Sequence, residues 1–324
     1  MNILFAKLAA TIILMTVFTA EGQESVQCPY PQSSYRQNMA LPEHQEGYQK
    51  VSGGSMFFRY FNLKPGPLVI LVPGLPSAVY YSDLSARLVD AGYNVLSFDY
   101  PGKMNSKLRG KENLNFIIQQ IEELFQVLQV YRHQDWHVIG TSMGGVVAAR
   151  LAVEHPEVVR TMTLLNPVGL KRDWTVVQRL AGLPVLNKIL APFILKGQVK
   201  KDIKSALACP QNYENLLSEQ DTSLATFQNR WNYLNLINNF SMVDNTDVYK
   251  RLANEKIPVL ITSGQAGTDP LYDQIDQLKK VLPQANFINI PRTSHIPFVE
   301  NPAVTFSIIQ LFLKNPLPQS SKLL

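Results

Sequence analysis

The stretch Trp136-His137-Val138-Ile139-Gly140-Thr141-Ser142-Met143-Gly144-Gly145-Val146-Val147-Ala148-Ala149 decides the fold. Its first four residues form a short run suited to a buried strand. The residues from Val146 to Glu154 suit a helix, and Pro156 prevents the helix from continuing. Only a tight strand-to-helix turn fits between them. Such a turn holds Ser142 in a strained backbone conformation and lifts its hydroxyl above the strand end. A side chain at position 140 or 144 would strike the neighbouring helix or strand, and both positions are glycine. The first N–H groups of the helix, led by that of Met143, point at the same spot and suit developing negative charge. A phosphate-binding loop fails, because no Gly-Lys-Ser/Thr follows.

Outward from this turn, strands and helices alternate. Leu68-Val69-Ile70-Leu71-Val72 is a continuous apolar run of the kind buried on both faces of a parallel sheet. Further strands are expected at 93–98, 161–165, 257–262 and 286–290. Helices are expected at 80–91 (closed by Gly92), 114–131, 146–154, 272–281 and 303–313. Ser52-Gly53-Gly54-Ser55 marks a hairpin between runs at 48–51 and 56–63. This order predicts an α/β fold, a mostly parallel central sheet with helices on both faces. The alternation stops at Asn166-Pro167. From 169 to 249 the apolar residues recur with helical spacing and no strand intervenes. The expected organisation is therefore a core at 47–168 and 250–314, with an inserted helical cap at 169–249.

The chain has 324 residues, 46% of them hydrophobic and 17% charged, which is enough apolar material for one large core. Lys7 precedes an apolar stretch from Leu8 to Ala20 that is short for a membrane span and suits a secretory signal. Ala20 and Gly22 place small residues before a cut at Gln23, so 1–22 are expected to be a signal peptide and the protein secreted or periplasmic. A retained anchor is the alternative. The net charge of +5 is scattered and accompanies no zinc-finger or RNA-binding signature, which argues against nucleic acid. A mildly basic surface is compatible with peripheral contact with anionic lipid. The two cysteines, Cys28 and Cys209, could pair in an oxidising compartment, but their spacing does not decide it. Neither has the neighbours of a metal site, and no cofactor is implied.

A serine hydroxyl needs a base, and the base needs a third group to hold it. Of five histidines, His44, His133, His137 and His155 occupy positions that suit structural or solvent-facing roles. His295 lies in Pro291-Arg292-Thr293-Ser294-His295, just past the last strand, on the sheet edge where Ser142 is expected. The acid should fall between them in chain order. Asp269, after the strand at 257–262, fits that place. Asp273 and Asp276 fall in the next helix, and Asp244 and Asp247 precede the strand. A second oxyanion donor is expected from the loop Pro73-Gly74-Leu75-Pro76, with the N–H of Leu75 facing the serine.

Taken together these segments resemble the α/β-hydrolase superfamily, in particular its capped carboxylesterase, lipase-like and carbon–carbon hydrolase members. Pro73–Pro76 is similar to the family's His-Gly-x-Pro loop, and Phe98-Asp99-Tyr100-Pro101-Gly102 resembles its Asp-x-x-Gly segment. Gly140 to Gly145 is similar to its nucleophile turn. Ser294-His295-Ile296-Pro297-Phe298-Val299-Glu300-Asn301-Pro302 is similar to its Gly-His-x-x-x-x-Glu-x-Pro ending. The match runs from about Gly54 to Leu313. Three departures stand out. Pro73 replaces the usual histidine, which should alter support of the oxyanion loop rather than its N–H. The acid loop is longer than the common one, and a serine stands where epoxide hydrolases and dehalogenases carry aspartate. The resemblance implies a serine hydrolase cleaving an apolar acyl ester or lipid-like small molecule. Ser142, His295 and Asp269 would be catalytic, Leu75 and Met143 would form the oxyanion hole, and Trp174, Trp231 and Phe240 are candidate substrate contacts in the cap. Peptidase or carbon–carbon hydrolase chemistry, or a ligand-binding protein on the same fold, are the alternatives.

Overall fold

The computed structural model describes residues 39–61, 64–74, 78–102, 107–108, 113–171, 204, 206–213, 226–236, 243–265 and 273–316. The expected signal segment 1–22 lies outside them. Among the described residues nine strands form one sheet. They are β1 (His44–Val51), β2 (Gly54–Phe61), β3 (Leu68–Val72), β4 (Asn94–Phe98), β5 (Lys107–Leu108), β6 (Trp136–Thr141), β7 (Val159–Leu165), β8 (Val259–Gly264) and β9 (Asn286–Ile290). The order across the sheet is β1-β2-β4-β3-β6-β7-β8-β9, with the short β5 paired to β2. β1, β2 and β4 pair antiparallel, and every pair from β4 through β3 to β9 is parallel.

Burial follows from position in this order. Every residue of β3, β4, β6 and β8 is buried, as expected of apolar strands covered on both faces. β1 and β9, at the two edges, keep exposed residues along their length. The β1–β2 hairpin closes with Val51 opposite Gly54, and Gly54 has φ +139°, open only to a residue without Cβ.

The helices are α1 (Ser82–Asp90), α2 (Leu114–Val127), α3 (Gly144–Glu154), α4 (Phe227–Leu236), α5 (Thr246–Asn254), α6 (Asp273–Val281), α7 (Pro297–Glu300) and α8 (Pro302–Lys314). A 3-10 turn, Ala78–Tyr81, leads into α1. The helix expected at 114–131 is shorter in the structure, because Gln129 takes a left-handed conformation (φ 55°) and a 3-10 turn, Val130–Arg132, follows. Asn113 caps the start of α2, its side chain accepting from the Phe116 N–H at 2.9 Å.

The interval between β7 and β8 is described in part. It contains a segment at 206–213 ending in the 3-10 turn Pro210–Tyr213, then α4 and α5. The boundary expected at 249/250 falls within α5. This helix belongs with the sheet-covering layer, since Val248, Tyr249 and Leu252 join Val146 and Val147 of α3 in one buried cluster. Among the described residues no helix is long and apolar enough to cross a membrane.

Candidate active site

β6 sits in the middle of the parallel block, and the turn from β6 to α3 carries Ser142 at its C-terminal edge. Ser142 has φ +53°, a conformation that disfavours any residue with a Cβ. The surroundings impose it. Ser142 N–H donates to the Leu165 carbonyl at 2.9 Å, and its own carbonyl accepts from Gly145 (2.9 Å) and Val168 (3.2 Å). The flanking glycines are sterically required. A Cβ on Gly140 would lie 2.6 Å from Ala148 Cβ, and one on Gly144 would run into the Val72 and Pro73 carbonyls. Met143 opens α3 in a helical conformation, and its N–H is among the helix-start donors that lack an intrahelical acceptor.

His295 comes from the loop between β9 and α7, far along the chain from the serine. Its Nε2 lies 2.8 Å from Ser142 Oγ, and both residues are buried. The sheet brings them together because β8 and β9 extend the parallel order beyond β7, so the loop after β9 emerges on the edge that bears the Ser142 turn. Asp269, Leu75, Trp174 and Phe240 lie outside the described residues. Trp231 lies on α4 and is half-buried. The loop expected to supply the second oxyanion donor does reach the serine at its described end. A Cβ on Gly74 would fall 2.7 Å from the Thr141 carbonyl and 2.9 Å from Ser142 Cβ.

The other four histidines are held in structural contacts. His44 Nδ1 donates to the Pro42 carbonyl (2.8 Å). His133 donates from Nδ1 to the Gly66 carbonyl (2.9 Å), leaving Nε2 to accept from Tyr60 Oη (2.6 Å). His137 meets Thr161 Oγ1 (2.7 Å), and His155 Nε2 meets Glu122 (2.8 Å).

Three supporting residues were not singled out from the sequence. Tyr100 is buried, and its hydroxyl donates to the Pro73 carbonyl at 2.6 Å. It thereby pins the loop in which proline replaces histidine. Burial holds its phenol well above the ordinary range, so it remains a neutral donor. Asn166, at φ +47° directly after β7, donates from Nδ2 to the Ser294 carbonyl at 3.1 Å, bracing the residue before His295. Glu300, the last residue of α7, is buried and accepts from the N–H groups of Ser294 (2.8 Å) and Ile296 (3.3 Å), on either side of His295. Asn166-Pro167, where the alternation breaks, was the visible sign of the second. The Glu-x-Pro ending was the sign of the third.

Residues 67–302 match the family model described as the alpha/beta hydrolase fold. The chain belongs to the α/β-hydrolase family. Within this family it is similar to a 2-hydroxy-6-oxo-6-phenylhexa-2,4-dienoate hydrolase of Comamonas testosteroni, 31% identical over 129 residues. That match covers 38% of this chain and spans under half, 44%, of the relative's own length. A pimeloyl-(acyl-carrier protein) methyl ester esterase of Aeromonas hydrophila subsp. hydrophila is 25% identical over 262 residues, covering 76% of this chain and 96% of that protein. Among solved structures, a serine hydrolase from the polyaromatic-hydrocarbon-degrading bacterium Cycloclasticus zankles superposes with a TM-score of 0.68. It is 16% identical and the superposition covers 84% of this chain and 98% of that one, a likeness of fold alone. Family membership and these relatives support a hydrolase; the bond it cleaves is a finer question.

Proposed function

We propose that this α/β-hydrolase is a serine esterase acting on an apolar acyl ester. The observation that carries the reading is the 2.8 Å contact between His295 Nε2 and Oγ of the strained, buried Ser142. In this reading Nε2 takes the hydroxyl proton as Oγ attacks the ester carbonyl. The N–H groups of Met143 and Leu75 receive the negative charge on the carbonyl oxygen. Asp269, acting on the far side of the imidazole, fixes its tautomer and stabilises the imidazolium. The imidazolium then returns its proton to the departing alkoxide, leaving an acyl-enzyme. Water, deprotonated by the same imidazole, attacks the acyl carbonyl, and Ser142 leaves with its proton restored.

A second reading keeps the serine and changes the bond. The dienoate named for the Comamonas relative carries a ketone and no ester, so hydrolysis at that ketone breaks a carbon–carbon bond. Similarity over part of the chain supports this reading, while the relatives similar over most of it include both an ester hydrolase and a proline iminopeptidase.

The protein is also proposed to be secreted or periplasmic. Two features support this: the apolar run from Leu8 to Ala20, and the disulfide at Cys209, a bond that persists in oxidising compartments.

The test is labelling with a fluorophosphonate probe, followed by turnover of p-nitrophenyl esters of increasing chain length. Wild type should label and hydrolyse esters. Ser142→Ala should lose labelling and reduce turnover by about 10⁴-fold or more. Absence of wild-type labelling, or labelling that survives Ser142→Ala, would refute the serine nucleophile. Labelling with an inert ester panel would move the substrate to peptides or carbon–carbon bonds.

A further inference from the structure

His295 sits in a loop whose backbone is held from two sides. Its own N–H donates to the carbonyl of Ala206, at 2.9 Å. The N–H groups before and after it, of Ser294 and Ile296, both go to Glu300 Oε2. The other carboxylate oxygen, Oε1, accepts from the N–H of Ala208 at 2.6 Å. Ala206 and Ala208 belong to the chain inserted between β7 and β8, whereas Glu300 and His295 belong to the loop-and-helix unit after β9. Three consecutive N–H groups centred on the histidine therefore depend on one buried carboxylate and one carbonyl of the inserted segment.

We propose that Glu300 is a positioning residue for His295, and the joint through which the inserted segment at 206–208 holds the histidine loop in register with Ser142. The proposal rests on the serine-hydrolase reading only for its effect on rate.

A buried carboxylate is costly unless donors surround it, and this one has three. No neutral side chain replaces it. An alanine would orphan all three N–H groups, and an amide would turn an NH2 group toward one of them. The inserted segment is itself anchored. Leu207 and Tyr213 pack in the same cluster as Ile296 and Phe298, and Cys209 is disulfide-bonded. A shift of that segment would therefore pull on Glu300 and on the His295 N–H together.

Burial outweighs the three donors and pushes Glu300 up to about 7. Among the described residues, His295 is the ionisable group that acts on it, opposing burial. In the described part of the inserted segment touching it, 206–209, the residues are Ala206, Leu207, Ala208 and the disulfide-bonded Cys209, none of which titrates. Ser294, Ile296, Pro297, Phe298 and Val299 around it carry no charge. Above pH 7 the carboxylate is ionised and grips the N–H groups more strongly; below pH 7 that grip weakens.

The test uses the full chain with Glu300→Gln and Ala208→Pro, the latter removing the N–H on the inserted side. Thermal unfolding first identifies which variants fold. Hydrogen exchange then reads the joint without any catalysis. Glu300→Gln should speed exchange in peptides containing 206–209 and 294–296 together. In the rate of fluorophosphonate labelling and in kcat, Glu300→Gln should lose about tenfold to a hundredfold at pH 8, with KM changed much less. The ionisation near pH 7 should vanish from its pH profile. Ala208→Pro should act in the same direction, and the double variant should lose less than the product of the single losses. If exchange rises in neither peptide, or in 294–296 alone, the joint is refuted. A wild-type pH profile in Glu300→Gln, or fully multiplicative single losses, also refutes it. A wild type that never labels, with both peptides loosened in Glu300→Gln, refutes the serine reading and leaves the joint standing.

Discussion

At the scale of single residues, the loop after β3 shows how a missing side chain is made good from elsewhere. Pro73 has no hydrogen-bonding side chain and no N–H, so it cannot brace its own turn as a histidine would. The brace comes from β4's end, where Tyr100 donates to the Pro73 carbonyl in a site without water access. Tyr100→Phe keeps the ring and deletes this bond, leaving a buried carbonyl unpaired. The expected result is a loss of about 1–3 kcal/mol in urea unfolding and a fall in kcat of about tenfold, with KM little changed. An unchanged kcat with lowered stability would limit Tyr100 to packing. Asn166 does related work for the histidine loop. Its left-handed backbone turns the chain out of β7, while its amide holds the Ser294 carbonyl.

At the scale of elements, the segment at 206–213 matters more than its length suggests. Its backbone meets His295 through the Ala206 carbonyl and Glu300 through the Ala208 N–H, and such contacts are only as firm as the segment's anchorage. Part of that anchorage is covalent. Cys209 is disulfide-bonded and buried, and Cys28, outside the described residues, is the one other cysteine of the chain. Reduction by dithiothreitol should lower stability by about 2–4 kcal/mol and slow turnover. Cys209→Ser should show the same deficits and no further response to reductant. A wild type whose melting temperature and turnover ignore dithiothreitol would refute this dependence.

At the scale of the whole molecule, two buried groups set opposing pH dependences of stability. Burial pushes His137 down to about 4, so the folded state binds fewer protons than the unfolded state between about 4 and 6.5. Its contribution is complete above pH 6.5 and is lost as pH falls toward 4. Burial pushes Glu300 up to about 7, so between about 4.5 and 7 the folded state binds more protons, and stability is lost as pH rises. His155, raised by its bond to Glu122, has the same sign as Glu300 and loses its contribution as pH rises above 6.5. The two large terms partly cancel in wild type. His137→Gln should therefore tilt the stability profile downward with rising pH between 4.5 and 7, and Glu300→Gln should tilt it upward, each by up to about 3 kcal/mol. Chemical denaturation at several pH values reads both slopes, and parallel profiles for the two variants would overturn this assignment. How much was legible beforehand follows the range of the interactions concerned. The strands at 68–72 and 286–290, the Ser142 turn and the helices around the sheet were readable because each is encoded in contiguous residues: an apolar run, a glycine where a Cβ has no room, a stop before proline. The Ser142–His295 pairing was readable through motif order, although 153 positions separate the two residues. The 3-10 break at Gln129 and the passage of α5 across the expected cap boundary were not readable, since local periodicity continues through both. Nor were the bonds of Tyr100 to Pro73, Asn166 to Ser294 and Glu300 to Ala208, which join positions 27, 128 and 92 apart. By itself the sequence determined the α/β class, the tight turn that bears Ser142 and the histidine that should answer it. Only the tertiary structure decided what holds that histidine and the loop after β3 in place, because a hydrogen bond between distant segments depends on where the sheet puts its strand ends.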